Sequence, residues 1–180
     1  MIKYFLDKPM VEGLDLRFER GSDGASGYDL MANCSSDRTI NPGERLFVRT
    51  GLYLEMPAGV EAQSRSRSGL SLNHGVIVLN APGTIDSDYR GEVGVTLYNA
   101  GVRHSRGVDG TLVEGLPFVV HPGARIAQLV FCPIMDLFAY YNSHKDSALT
   151  PHFWKPQRVE SRKMLSDSGR GESGHGSTGI

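Results

Sequence analysis

Residues 78–95, VLNAPGTIDSDYRGEVGV, gather the residue types of a small-molecule site. Asp86 stands two residues before Asp88, and Tyr89 follows. An ionised carboxylate on a turn serves as a general base toward water when it lies within hydrogen-bond reach. The Tyr89 ring offers a wall for a flat ligand. Apolar runs flank the stretch and Asn80-Ala81-Pro82-Gly83 breaks it. The expected product is a wide hairpin with free backbone donors and acceptors at its mouth. Taken alone, Asp and Tyr are also ordinary hairpin residues.

A second group of residues suits an anion. In SRSRSGLS (64–71), Arg65 and Arg67 alternate at a strand end. Ser68 and Gly69 then place a hydroxyl and a bare amide at a helix start, where unpaired N–H groups favour negative charge. The same text reads equally as a solvated basic edge. Arg125 and Gln128 lie in PGARIAQLVF, where a polar Gln must find partners or cost about 1–3 kcal/mol. Asp29, in GASGYDLMA, leads a carboxylate into a strand, or serves as a turn or cap residue. The closing RGESGHGSTGI combines glycines, hydroxyls and one arginine, and bare amides of that kind crowd around phosphate. It lacks the lysine and following helix of a P-loop. The six histidines show no metal-ligand spacing, and no G-x-S-x-G elbow is present.

Strands must position these residues. β-branched runs with turn chemistry between them predict strands over 45–56, 76–79, 92–98, 117–121 and 125–131. A weak helix is expected over 11–20, and a short one over 66–75, ended by Gly75. Few helices among many strands imply a sandwich or barrel. At 180 residues with 39% hydrophobic content, one domain is expected. Residues 136–169 turn irregular and polar, as an excursion or a tether. A net charge of −1 removes the basic excess expected of a nucleic-acid or membrane binder. No apolar run spans a bilayer. Cys34 and Cys132 lie far apart, Cys132 reads as a core residue, and a reduced cytoplasmic setting is expected.

The order of these stretches is more specific than any one of them. SGYDL, SRSGLS, GTIDSDYRGE, GARIAQL and RGESGHGSTG resemble the five ordered motifs of the trimeric dUTP diphosphatase (dUTPase) family, over roughly 24–134 and 170–180. The resemblance implies an all-β, jelly-roll-like barrel assembled as a homotrimer with active sites at subunit interfaces. The barrel would span 1–169, with insertions near 101–117 and 136–169. Residues 170–180 would form a mobile arm closing over a neighbouring site. The implied reaction converts dUTP and water to dUMP and pyrophosphate with Mg²⁺. Asp86 would be the base, and Asp29 would reach the metal through water. Arg67, Ser68, Gly69, Gln128, Arg170, Ser177 and Thr178 would hold phosphates. Asn80 and the main chain of Thr84, Ile85 and Gly94 would read uracil, and Tyr89 would meet the deoxyribose.

The chain departs from the family pattern in places. His175 stands where phenylalanine is usual and would stack on uracil as the lid. Ser173 replaces a glycine. The two long links offer extra trimer contacts or a surface for a protein partner, with Trp154 pinning the second. The deaminase relatives that share the fold carry a glutamate three residues before an asparagine; here Thr96 precedes Asn99, so diphosphate hydrolysis is expected instead. A binding protein that has kept the fold is the remaining alternative.

Overall fold

Alternation of buried and half-buried residues drives the sheets, as in Val60–Arg65, where every second side chain turns inward. The computed structural model describes residues 1–101, 105–106, 112–113, 115–134 and 156–166. The strands are β1 (Ile2–Leu6), β2 (Tyr28–Met31), β3 (Arg38–Ile40), β4 (Arg45–Val48), β5 (Leu52–Glu55), β6 (Val60–Arg65) and β7 (Val76–Val78). They continue with β8 (Gly83–Ile85), β9 (Val95–Asn99), β10 (Ser105–Arg106), β11 (Leu112–Val113), β12 (Phe118–Val120), β13 (Arg125–Pro133) and β14 (Pro156–Arg158). One short helix, α1, spans Ser68–His74 and ends at Gly75 with φ 64°.

Two larger sheets carry the site. In one the order is β2-β13-β6-β8; in the other it is β4-β9-β7. Their inner faces meet in a single core that includes Leu30, Val48, Val76, Val78, Val95, Leu97, Ile126 and Leu129, all nearly or fully buried. A mostly-β fold is therefore present. Among the described residues the strands group into five sheets. No helix of the described residues is long and apolar enough to cross a membrane.

Several expectations change. The run 45–56 is two strands, because Gly51 at φ 70° turns the chain between them. β4 then pairs with β9 and β5 with β1. Residues 11–20 form no helix: Leu16 and Phe18 are buried while their neighbours are exposed, a period of two. The segment runs beside β2, where the Asp29 amide donates to the Glu19 carbonyl at 2.8 Å. Cys132 is half-buried rather than core, and Cys34 is the buried cysteine. The first insertion contains the small antiparallel hairpin of β10 and β11. Within the second, β14 pairs in parallel with β1. Trp154 and residues 170–180 lie outside the described residues.

The segment after β14 is fastened at its end. Val159 and Leu165 pack with Tyr53, and Arg162 stands 4.7 Å from the Tyr53 ring centroid. The Ser166 amide donates to Glu55 Oε2 at 2.7 Å, and Lys3 Nζ donates to Glu55 Oε1 at 3.0 Å. Burial alone would push the Glu55 carboxyl up; the Ser166 amide and Lys3 outweigh it and hold it below its ordinary 4.5. A depressed carboxylate stabilises the fold above its unfolded pKa, and that contribution is lost as pH falls through the folded value. The protection factors of the Val159 and Leu165 amides, exchange rates divided into the intrinsic rate at each pH, should therefore hold above about pH 4.5 and fall below it. Glu55→Gln should flatten that dependence; an unchanged profile would remove Glu55 from the latch.

Candidate functional site

The hairpin expected over 78–95 exists, and its neck is antiparallel pairing of β7 with β9, Val78 opposite Leu97. Beyond the neck the chain leaves one sheet and joins the other. β8 pairs with β6, setting Gly83 opposite Ser64 and Ile85 opposite Ala62. The turn that follows closes with the Tyr89 amide donating to the Asp86 carbonyl at 3.1 Å. This path lines an open cavity of about 140 Å³. Asn80, Thr84, Ile85, Asp86, Tyr89 and Gly94 all line it, joined by Ser64 and Glu92. These are all the sequence-predicted hairpin residues, brought to one place.

Tyr89 is 8% exposed. Its hydroxyl donates to the Glu92 carbonyl at 3.0 Å. Burial, and next the nearby Glu92 charge, push its phenol above the ordinary 10.0. It therefore stays a donor at neutral pH. The ring folds back over its own turn so closely that a Cβ on Gly91 would collide with it. Phe47, half exposed on β4, leans in the same way over Gly94. Neither Phe47 nor Glu92 was expected from sequence. Phe47 is brought there by cross-strand pairing of β4 with β9, for which the local text carries no signal.

The anion-type residues form a second group. On β13, Gln128 pairs with Asp29 of β2 on one side and Arg65 of β6 on the other, so the three share the outer face of the sheet. Asp29 is paired with two guanidiniums: Arg67 Nε lies 3.3 Å from its Oδ1 as an ion pair, and Arg125 Nη1 donates to its Oδ2 at 3.4 Å. Arg67 Nη1 also donates to the Arg125 carbonyl at 2.9 Å. Such half-exposed pairs add about 1 kcal/mol or less to stability; their effect is to aim Arg67. Gln128 Nε2 donates to the Ser66 carbonyl at 3.0 Å, which answers the question of its partner. Arg65 is taken up by Gln63 Oε1, at 2.7 Å from Nη2. Ser68 and Gly69 open α1 directly after Arg67.

Beyond Asp29 lies an open groove of about 450 Å³, lined by Asp15, Arg17, Glu19, Arg20, Asp29 and Arg125 among others. Three acids face three arginines there, so the groove as a whole attracts neither charge. None of Asp29, Arg67, Ser68, Gly69 and Gln128 lines the hairpin cavity. Arg170, His175, Ser177 and Thr178 lie outside the described residues.

The chain was compared with known proteins. The dUTPase family model matches residues 17–155. The deoxyuridine 5'-triphosphate nucleotidohydrolase of Mesorhizobium japonicum is 41% identical over 177 residues, covering 97% of this chain and 89% of that protein. The protein of the same name from Clostridium tetani is 40% identical over 157 residues, 87% of this chain and 84% of its own. Among solved structures, a variant of the Staphylococcus bacteriophage 80alpha dUTPase with dUpNHpp aligns at a TM-score of 0.57 and 23% identity, covering 100% of this chain and 99% of that one. A variant dUTPase from phage phi11 of S. aureus aligns at 0.58 and 20% identity, covering 84% and 99%. The structural likeness concerns the fold.

Gly91→Ala should destabilise the protein by about 1–3 kcal/mol, because the methyl and the Tyr89 ring need the same space. Urea unfolding measures this. Unchanged stability would mean that the turn relaxes around the methyl.

Proposed function

The chain belongs to the dUTPase family, and from that premise we propose that it hydrolyses dUTP to dUMP and pyrophosphate in the hairpin cavity. The observation that carries this reading is the meeting of Asn80, Thr84, Ile85, Asp86, Tyr89 and Gly94 around one space. Uracil would enter that space. The Asn80 amide and the main chain of Thr84, Ile85 and Gly94 would pair with its edge. Cytosine reverses donor and acceptor at its 4-position and would leave buried groups unpaired, which discriminates far more than a methylene does. Tyr89 would lie against the deoxyribose where a 2′-hydroxyl would clash.

Asp86 would take a proton from water as its oxygen bonds to the α-phosphorus, and the α–β bridging oxygen would leave with pyrophosphate. Arg67, Ser68 and Gly69 would hold the phosphates, with Ser68 near the bridging oxygen. Gln128 would contact the phosphate and water shell. Charge-assisted contacts of the Arg67 kind are the strong ones. Arg170, Ser177 and Thr178 would add contacts from the C-terminal arm, and His175 would stack on the base.

The residues suit a magnesium ion held mainly by substrate. Among the described residues no group of three or more His, Cys, Asp or Glu gathers to hold a metal. Asp29 is the carboxylate beside the phosphate-type residues, and magnesium readily keeps several waters and substrate oxygens as ligands. When bound, the ion would offset charge building on the leaving pyrophosphate. The phage phi11 dUTPase coordinates a structural Mg(II) ion, so one protein of this fold binds the metal.

The separation of the two residue groups supports a jelly-roll homotrimer with shared sites. Asp86 follows Ile85, which pairs with Ala62, whereas Arg67 lies five positions beyond Ala62. At about 3.3 Å per residue, five residues of extended chain span roughly 17 Å, too far for both residues of one copy to serve one phosphorus atom. A second copy would bring its Asp29, Arg67 and Gln128 to the cavity, and the arm of a third would close it. Closure would exclude water other than the attacking one.

Pyrophosphate release should be fastest from dUTP when dUTP, dCTP, dTTP and UTP are compared with Mg²⁺, with no ammonia from dCTP. Asp86→Asn should lower turnover by roughly 10²–10⁴-fold while dUTP still binds. Full activity in that variant would remove Asp86 from the base role. Removing residues 170–180 should cripple hydrolysis and leave thermal unfolding unchanged; normal turnover would mean that the arm is no lid.

A further inference from the structure

Glu92 is the charged residue of the cavity wall that the proposed reaction leaves without a task. Its side chain is 18% exposed, and both oxygens are engaged. Oε2 accepts from Arg49 Nε at 2.8 Å, and Oε1 accepts the Gly51 amide at 2.7 Å. Its own carbonyl accepts the Tyr89 hydroxyl. Arg49 reaches further, with Nη2 at 3.5 Å from Asp7 Oδ2, and that same oxygen accepts the Tyr53 hydroxyl at 3.3 Å. The Asp7 amide in turn donates to the Gly51 carbonyl at 2.8 Å. One residue thus joins the turn between β4 and β5 to the aromatic wall of the cavity.

The arrangement is more than a surface ion pair. An exposed pair adds little to stability, but this carboxylate is mostly shielded and also holds a backbone amide. The segment that carries it, just before β9, is also tied through its next residue, since the Val93 amide donates to the Leu52 carbonyl at 2.7 Å. The Glu92 backbone is therefore held by its own side chain and by its neighbour Val93. The Tyr89 ring sits where the Glu92 carbonyl and Gly91 allow it.

We propose that Glu92, clasped by Arg49, is a positioning residue that fixes the Tyr89 ring and thereby sets the preference of the enzyme for a 2′-deoxy sugar. The proposal rests on the reading of the cavity as the dUTP site. Loss of the clasp lets the ring shift by the small distance that admits a 2′-hydroxyl. The chemistry at Asp86 is untouched, so discrimination falls before turnover does.

The test measures kcat and KM for dUTP and UTP in the full-length protein and in Glu92→Ala, Glu92→Gln, Arg49→Met and Tyr89→Phe. In Glu92→Ala the ratio of kcat/KM for dUTP over UTP should fall about tenfold, with kcat for dUTP within about threefold of the parent. Glu92→Gln, which keeps an acceptor for the Gly51 amide, should restore part of the ratio. Tyr89→Phe removes the hydroxyl that Glu92 receives, and combining it with Glu92→Ala should lower the ratio no further, because coupled residues are not additive. If Glu92→Ala does not fold, Arg49→Met and Tyr89→Phe carry the test. A ratio equal to that of the parent in the folded variants, whatever the change in melting temperature, overturns the proposal. A parent protein that releases no pyrophosphate from dUTP overturns the functional reading instead.

Discussion

Val78 and Leu97 face each other across β7 and β9, both buried to 2% or less, and the excursion 79–96 begins and ends at that pair. A loop of this length left to itself would be costly to order. Here it is tied at several points: at the neck, at β8 on β6, and at Val93 on Leu52. Each tie divides the excursion into pieces too short to wander. The cavity is what remains between the ties. Its lining holds its shape because the core behind Val76, Val78, Val95 and Leu97 is shared by both sheets.

The anion-type residues obey a different constraint. They depend on the register of β13, whose residue 128 stands between residue 29 and residue 65. A slip of one position would turn Gln128 into the core and Leu129 out of it. The register shift between Arg125 and Ala127 lets Arg125 reach the Asp29 carboxylate from the same strand. Arg67 is aimed from both sides, by a carboxylate and a carbonyl. A guanidinium held in place loses less freedom on meeting an anion than a free one does.

The chemistry-bearing stretches were legible because each is local. Asp86, Tyr89 and their turn lie within a few residues, and α1 with its Gly75 end follows from punctuation alone. The run 45–56 is two strands where one is expected because the apolar residues resume directly after Arg49-Thr50-Gly51, and only the positive φ of Gly51 reveals the turn. Residues 11–20 look weakly helical by composition, yet Leu14, Leu16 and Phe18 alternate, and that period of two was the available signal. Cys132 lies in an apolar run, but β13 is longer than expected and its end turns the thiol partly outward beside Arg65. Glu92 and Arg49 are not legible as a pair: each lies in a separate expected strand, and only the fold brings positions 43 apart together.

Gly94 gives the cavity wall a property of its own. The Phe47 ring occupies the space above its alpha carbon, so a substituent there would have to displace the ring. The wall there is bare peptide, with nothing that a point mutation could exchange for another functional group. Divergence of this pocket toward other ligands is thereby channelled to its rim, at residues such as Phe47 and Asn80, or to rerouting of the whole loop by insertion. At Gly94 the lining is main chain, and its contribution is a shape rather than a side chain.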